Sequence, residues 1–289
     1  MRTVRFLPAA ALAVVVVVAA RPALAEQWDR QFQVGAHPHV TVEADEARVE
    51  IIAWDRNEVA VHVESVGWRI GSQLRLDAGQ QGSDVNISAR TPHGWFSFDV
   101  SVRDLRVEVS VPREADLDIR TGDGSVAIPP LTGRIDVRTG DGSITLRGVR
   151  GDIHLVTGDG GIDGEGLDGR LNASTQDGHI RVSGRFEALE LGSGDGRVIA
   201  EAEPGSVIQD GWSLHTGDGP LSLRLPPGLK ADLEAQTGDG RITLDIPVEF
   251  TGDWSRSHLR GRMNGGGPPL RLHTGDGSIR VEQLAAHVR

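Results

Sequence analysis

Apolar and polar residues alternate around a short signature that recurs in the second half of the chain. Counting from the Thr of the signature, apolar residues lie four and two positions before it and five and seven after it, as in Ile135, Val137, Ile144 and Leu146. Alternation at period two is typical of a strand with one buried face. We therefore predict a short strand on each side of every signature, with the Thr on the inward face.

The signature itself is Thr-Gly-Asp-Gly, and its spacing defines a repeat. Five copies follow one another at a constant interval, beginning at Thr121, Thr139, Thr157, Thr175 and Ser193. Three more begin at Thr216, Thr237 and Thr274, at wider spacing. We interpret the Gly-Asp-Gly as a corner, in which Gly supplies positive φ and Asp accepts hydrogen bonds from turn amides.

The length of the repeat favours an all-β solenoid. A unit of about 18 residues has a contour of about 60 Å, which is enough for two short strands and two corners. Stacked coils place like residues over like, and this accounts for the return of the same residue types. We predict a single-stranded parallel β-solenoid with coils of about 18 residues and an N-terminal irregular β cap. The alternative is an antiparallel meander or sandwich, because Asp-Gly between alternating strands is also a hairpin signal.

The predicted domains follow from where the signature occurs. Residues 26–112 contain period-two segments and four of the six Trp but no signature, so we assign them to the cap. Residues 113–282 form the repeat, with an insertion at about 247–269 that holds Trp254 and a Gly-Gly-Gly-Pro-Pro run. Residues 283–289 form a C-terminal tail. A flat solenoid face and the Trp254 loop are candidate binding surfaces.

The first 25 residues have the features of a cleaved signal peptide: a basic start, an apolar run and Ala23-Leu24-Ala25. We predict cleavage between Ala25 and Glu26, hence export to the periplasm, the cell surface or the medium, and no transmembrane anchor further on. Loss of Arg2, Arg5 and Arg21 takes the net charge from -11 to -14. Such a charge disfavours nucleic acid as a partner.

Together these features resemble a known family. Tandem strands with Thr-Gly-Asp-Gly-Ser-Ile corners, after a signal peptide and a less regular β segment, are similar to the bacterial putative-adhesin family of envelope β-repeat domains of unknown function. The resemblance covers about residues 35–282, and this chain departs from it at Gln176, Ser193 and the long insertion. It implies an extracytoplasmic β-repeat protein with an adhesin-like role, and it supplies no catalytic residues to carry over.

Aspartates at one phase of the repeat are the candidate ion site or corner ladder. In a solenoid, neighbours about 5 Å apart would repel by about 0.8 kcal/mol in water. Calcium could bridge them, although one Asp per coil supplies few oxygens, so we predict no cofactor. A denser acidic stretch, Asp159, Asp163, Glu165 and Asp168, lacks EF-hand spacing. The eight positions are Asp123, Asp141, Asp159, Asp177, Asp195, Asp218, Asp239 and Asp276.

No motif singles out catalytic chemistry. The repeated carboxylates mark no acid–base pair, and Gly-x-Ser-x-Gly and His-Glu-x-x-His are absent. His37 and His39 could offer two metal ligands, but no third is marked. We therefore predict a non-enzymatic binding module for envelope glycan or protein. The alternatives are a structural protein that self-assembles in the envelope and a polysaccharide-active β-helix enzyme.

Overall fold

The computed structural model describes residues 25–91, 103–251 and 255–284, and every regular element in them is a strand. The predicted signal peptide, apart from Ala25, and the residues Trp95 and Trp254 lie outside the described residues. The strands are β1 (Glu26–Gln33), β2 (His39–Ala44), β3 (Arg48–Trp54), β4 (Glu58–Val66), β5 (Arg75–Gln81), β6 (Asp84–Arg90), β7 (Asp104–Pro112), β8 (Asp116–Thr121), β9 (Val126–Ile128), β10 (Thr132–Thr139), β11 (Ile144–Arg147), β12 (Arg150–Val156), β13 (Ile162–Thr175), β14 (Ile180–Ser193), β15 (Val198–Ala202), β16 (Trp212–Thr216), β17 (Leu221–Leu225), β18 (Ala231–Thr237), β19 (Ile242–Asp245), β20 (Glu249–Phe250), β21 (His258–Met263), β22 (Pro269–Thr274) and β23 (Ile279–Gln283).

The strands stack as parallel coils, which confirms the solenoid. Ile135 lies opposite Ile153, and Ile153 lies opposite Leu171, so adjacent coils keep the constant interval of the signature. Each coil has a front strand before the signature corner and a back strand after it, and a return corner leads to the next coil. Because neighbouring coils pair in parallel, the antiparallel meander is excluded for the repeat.

Front and back strands enclose one core built from their inward residues. Ile135, Val137, Ile144 and Leu146 are fully buried, as the alternation predicts. The signature Thr residues are buried as well, which confirms their inward phase. The widest core side chains, Trp212 and Phe186, meet edge to face with ring centroids 6.3 Å apart.

The stack begins earlier in the chain than the signature indicates. β2 pairs in parallel with β8, and β3 pairs in parallel with β7 and β9, so residues 39–54 form a coil with Ala44-Asp45-Glu46-Ala47 at its corner. β6 and β7 form another coil beyond it. Sequence analysis assigned all of 26–112 to the cap, whereas the cap consists of β1, β4 and β5, which pair antiparallel.

At the other end the order of coils differs from the order along the chain. The coil of β22 and β23 lies between the coil of β16 and β17 and that of β18 and β19. β21, in the predicted insertion, pairs antiparallel with the outer edge of β18. Within the described residues the stack has ten coils, with antiparallel strands at both ends. Such strands protect the open edges that a solenoid would otherwise expose.

Candidate functional site

The eight corner aspartates form a column on the edge of the stack, in register from coil to coil. All eight side chains are exposed, and within the described residues none makes a hydrogen bond or ion pair. Asp276 comes before Asp239 in the column, because the last coil of the chain lies inside the stack. The prediction that Asp caps the corner is therefore wrong.

Threonine caps the corner instead. In the coil that begins at Thr139, the side-chain oxygen accepts a hydrogen bond from the amide of Gly142 at 3.2 Å. The same hydroxyl lies 2.9 Å from the carbonyl oxygen of Gly122 and 3.2 Å from that of Gly124 in the neighbouring coil. Corresponding contacts are made by Thr175, Thr216, Thr237 and Thr274. The hydroxyl thus gives the Gly142 amide and the Gly124 carbonyl oxygen a hydrogen-bond partner, and it adds a second donor to the carbonyl oxygen of Gly122, which also accepts from the Gly140 amide.

The corner glycines are required by close stacking and not by positive φ. None of the signature glycines has a positive φ. A Cβ atom on Gly142 would lie 2.0 Å from the carbonyl oxygen of Gly124, and one on Gly160 would lie equally close to that of Gly142. Positive φ occurs at the return corners, as at Gly148 with φ 62°.

The acidic stretch predicted as the best local ion candidate is occupied by the protein's own cations. Asp163 pairs with Arg181 at 3.4 Å and with His179 at 3.1 Å. Glu165 lies 3.8 Å from Arg147. Asp168 pairs with Arg150 and Arg185. In the part of the chain that the structure describes, no group of three or more His, Asp or Glu side chains is placed to hold a metal ion.

His37 contacts a carboxylate near the start of the repeat. Its Nε2 lies 3.1 Å from Asp116 Oδ1, and that oxygen also accepts a hydrogen bond from the amide of Arg134 at 2.8 Å. Burial alone would raise the pKa of Asp116, but the Arg134 amide and His37 outweigh it, so the pKa lies below its usual value. We interpret the contact as a structural tie between residues 37 and 116.

A groove on the front face is the best candidate binding site. It has a volume of about 510 Å³ and crosses the six neighbouring front strands from β10 to β22. At a strand spacing of about 4.8 Å, its length is about 24 Å along the stack. Its polar lining consists of Arg134, Asp136, Asp152, His154, Arg170, Asn172, Glu190, Asp210, Ser213 and Arg271.

The groove forms where the repeat becomes irregular. The interval between the signatures at Ser193 and Thr216 is longer than the intervals before it, and the extra residues bring Asp210 and Gly211 to one end of the groove. Ala188 lies opposite Arg170 on the next strand, next to a break in register. Because Ala is short where the previous coil has Arg, the surface is depressed there.

Among the described residues, most charged side chains in the groove are left unpaired; of the carboxylates, Glu190 accepts from Asn172 at 2.8 Å and Asp136 pairs with Arg138. Within the described residues no hydrogen bond or ion pair holds the side chains of Arg134, Arg170 or Arg271. Asp152 and Asp210 are likewise unpaired in that part of the chain. One carboxylate oxygen of Asp136 is buried without a hydrogen bond, although the other accepts from Arg138 at 3.0 Å.

On the back face the charges neutralise one another. Arg224 lies 3.2 Å from Glu201 and 3.3 Å from Glu282, which raises the pKa of its guanidinium. Arg147, Arg181 and Arg280 also have carboxylate partners. The front groove therefore offers donors and acceptors to a ligand, whereas these back-face arginines already have carboxylate partners.

Sequence analysis predicted that a flat face could bind but did not locate this groove. The detectable signal was the lengthened spacing after Ser193 together with Ala188 at a phase that holds Arg170 one coil earlier. The groove residues share no motif, because they come from six different coils. The Trp254 loop, the other predicted surface, lies outside the described residues.

Three solved structures with low sequence identity match this chain over most of its length. A putative lipid binding protein from Parabacteroides distasonis is 12% identical, with 88% of this chain and 96% of that chain covered and a TM-score of 0.48. A putative adhesin from Bacteroides fragilis is 9% identical, with 90% and 97% covered and a TM-score of 0.39. A putative cell adhesion protein from Clostridium sporogenes is 11% identical, with 89% and 100% covered and a TM-score of 0.31.

No curated protein matches the chain. The structure contains, among the residues it describes, no helical segment suited to spanning a membrane. The family model that matches is Toastrack DUF4097, over residues 37–282. This match covers most of the chain and confirms the resemblance to β-repeat domains of unknown function that the signature predicted. The chain therefore belongs to the Toastrack DUF4097 family.

Proposed function

We propose that the protein is an exported, non-enzymatic binding module whose front groove binds an extended polar ligand. The proposed class of ligand is an envelope glycan. The observation that carries the proposal is the set of unpaired polar side chains along the groove, beside a back face whose charges are paired. These unpaired charged side chains are exposed, so water solvates them in the free protein, and the polar groups of a ligand can replace that water.

The composition of the groove supports a neutral or weakly charged ligand. Three guanidinium groups, of Arg134, Arg170 and Arg271, face four carboxylates, of Asp136, Asp152, Glu190 and Asp210. A strongly charged polymer would meet repulsion from one of the two sets. Hydroxyl groups, in contrast, can donate to carboxylates and accept from guanidinium groups. A sugar chain offers many hydroxyls along its length.

The length of the groove supports a polymer. Its lining residues come from successive coils at about 4.8 Å spacing, so equivalent contacts recur along the stack axis. The aromatic residue beneath the groove, Trp212, is 1% exposed, so polar contacts and not ring stacking would provide the affinity. Catalysis is no part of the proposal, since the groove carboxylates come from separate coils and no pair is singled out.

Titration calorimetry with purified envelope polysaccharide tests the proposal. The protein is residues 26–289, and the test variant is Ala188→Arg, which fills the depression without removing a groove side chain. The control is Thr145→Arg, a half-buried outward position on the back face. We expect wild type and control to bind alike and Ala188→Arg to bind at least about tenfold more weakly, which is about 1.4 kcal/mol.

Two results would count against the groove. If Ala188→Arg binds the polysaccharide as tightly as wild type, the ligand lies elsewhere on the protein. If wild type binds no fraction of the envelope polysaccharide, the glycan class is wrong. Removal of a single cation, in Arg170→Ala, should weaken binding in the same direction as the filled variant.

A further inference from the structure

The last coil of the chain is inserted between two coils that precede it in sequence. β22 pairs with β16 on one side and with β18 on the other, and β23 likewise pairs with β17 and β19. β18 thus has β21 on one edge and β22 on the other, although these two strands are consecutive in the chain. The connection between them must cross the start of β18.

The crossing segment is Asn264 to Pro268, and its conformation is unusual. Asn264 has a φ of 51°, and Gly265 and Gly266 each have a φ of 87°. For Asn such a φ costs less than for other residues with a side chain, but it is still less favourable than a negative φ. The segment also passes close to β18: a Cβ atom on Gly266 would lie 2.7 Å from Asp232 Oδ1.

The slot that receives the last coil has no feature that distinguishes one copy of the chain from another. Leu270, Leu272 and Thr274 lie opposite Trp212, Leu214 and Thr216 in one neighbour, in the same phase of the repeat. The same residues of β22 also pair with β18, the other neighbour, at equivalent positions of the repeat. The pairing depends on backbone hydrogen bonds and on phase, both of which a second molecule would supply equally well.

We propose that residues 269–284 are exchanged between two copies of this chain, so that the partner is a second copy whose last coil fills the slot between β17 and β19. All strand pairings of the monomer are retained in such a dimer, and only the crossing segment changes conformation. Release of the left-handed conformation at Asn264 favours exchange, whereas the loss of the segment's hydrogen bonds to Leu229 and Asp232 and the loss of free translation oppose it. Exchange therefore depends on protein concentration. This inference does not rest on the groove.

A cysteine pair detects the exchange, since the chain has no cysteine of its own. His215 and His273 lie opposite each other on β16 and β22, both exposed. The matched control is Val156 and Ser174, opposite each other on β12 and β13 at the same phase, in coils that are not exchanged. Both double variants, His215→Cys with His273→Cys and Val156→Cys with Ser174→Cys, are refolded from denaturant at low and high concentration and then crosslinked with a short thiol-specific reagent.

We expect the 215–273 pair to give a covalent dimer whose fraction rises with concentration, and the 156–174 pair to give monomer at every concentration. Denaturing gels without reductant report both. If the 215–273 pair forms no more dimer than the control at the highest concentration, the inference is overturned.

A change in the crossing segment gives a second, independent test. Deleting Gly265, Gly266 and Gly267 leaves two residues between β21 and β22, which span about 11 Å when extended. The two strands are about 10 Å apart on opposite sides of β18, so such a short connection cannot pass around its backbone. The folded deletion variant should sediment as a dimer, whereas an insertion of Gly-Ser-Gly after Gly267 should leave a monomer. A folded monomeric deletion variant would contradict the exchange, and if the deletion prevents folding, the cysteine pair decides.

Discussion

The hydroxyl of Thr139 donates to the carbonyl oxygen of Gly122 across 2.9 Å, from one coil to the next. The backbone makes a parallel contact, since the amide of Gly140 lies 2.6 Å from the same oxygen. Repetition of this arrangement along the stack joins the signature corners into a continuous hydrogen-bonded column. The Thr of the signature is therefore a structural residue, and the exposed Asp beside it is not required to hold the corner.

Loss of one such hydroxyl should be measurable. In Thr157→Val the side chain keeps its shape, but the carbonyl oxygens of Gly140 and Gly142, now 3.2 and 3.0 Å from the hydroxyl, lose a donor. We expect a decrease of about 1–2 kcal/mol in the free energy of unfolding by urea. The control is Thr145→Val on the exposed side of β11, which should change stability by less than about 0.5 kcal/mol. Equal effects of the two substitutions would show that the corner hydroxyl is dispensable.

Substitution of a corner glycine should be more damaging. In Gly142→Ala the new methyl group would lie 2.0 Å from the carbonyl oxygen of Gly124, so two coils must separate locally. We expect a loss of about 2–4 kcal/mol, measured by thermal or urea unfolding. Gly79→Ala is the comparison, because a Cβ atom there meets no atom within 4 Å. A stable Gly142→Ala protein would mean that the corners stack less closely than described.

Most of the fold could be predicted from the sequence, because the repeat shows which residues face inward. Alternation around the signature predicts which residues are buried, and the constant spacing from Thr121 to Ser193 predicts parallel coils. The corner chemistry was assigned to the wrong side chain, since both Thr and Asp are suited to turns and only the distance to the neighbouring coil distinguishes them. A second glycine period, in which Gly148 and Gly166 are separated by the same interval as the signatures, marks the return corner and was overlooked.

The coil order could not be predicted from pattern. Residues 39–54 lack the signature because Ala44 and Ala47 occupy the places of Thr and Gly, so only pairing with β8 identifies them as a coil. At the other end, the segments around Thr237 and Thr274 have the same pattern of residues. Nothing in either segment indicates which of the two coils lies further inside the stack. The groove could not be predicted for a related reason: the stacking of coils brings its residues together, although they are distant in sequence.

The corner aspartates should contribute little to stability and should not require calcium. Asp159 is exposed and, within the described residues, has no hydrogen-bond partner, so Asp159→Asn should shift the melting temperature by no more than a few degrees. Millimolar calcium should likewise raise the melting temperature of wild type by no more than a few degrees. Binding at a hundred times the dissociation constant would add about 2.7 kcal/mol per site. A large calcium shift that magnesium does not reproduce, and that Asp159→Asn reduces, would establish an ion site.

Low pH should weaken the contacts that the Asp116 carboxylate makes with His37 and the Arg134 amide. Its pKa in the folded protein lies below the value of about 3.9 that an unfolded chain has. The stability from its ionised form is therefore present above about pH 4 and is lost as the pH falls through the lowered pKa of the folded state. In urea unfolding at a series of pH values, Asp116→Asn should be less stable than wild type near pH 6, and the difference should shrink in acid.

The matched variant for this series is Asp141→Asn, because Asp141 is exposed and, in the described part of the chain, has no partner. It should follow the wild-type pH profile. A difference between Asp116→Asn and wild type that stays constant down to pH 2 would show that the carboxylate charge of Asp116 is not what stabilises the tie.

Thermal melts of two deletion variants test most directly whether the coils are equivalent, stacked units. Deleting Gly140 to Thr157 removes one whole period and joins Thr139 to Gly158, so the residues on either side keep the phase in which Ile135, Ile153 and Leu171 pair. Deleting only Gly140 to Gly148 removes a signature corner and a back strand, and every later coil is then displaced by half a period. Because each coil contacts only its neighbours, the whole-period deletion should fold and melt cooperatively, whereas the half-period deletion should be grossly destabilised or insoluble. If the longer deletion is as damaging as the shorter one, the coils are not equivalent units and the stacked-coil account is contradicted.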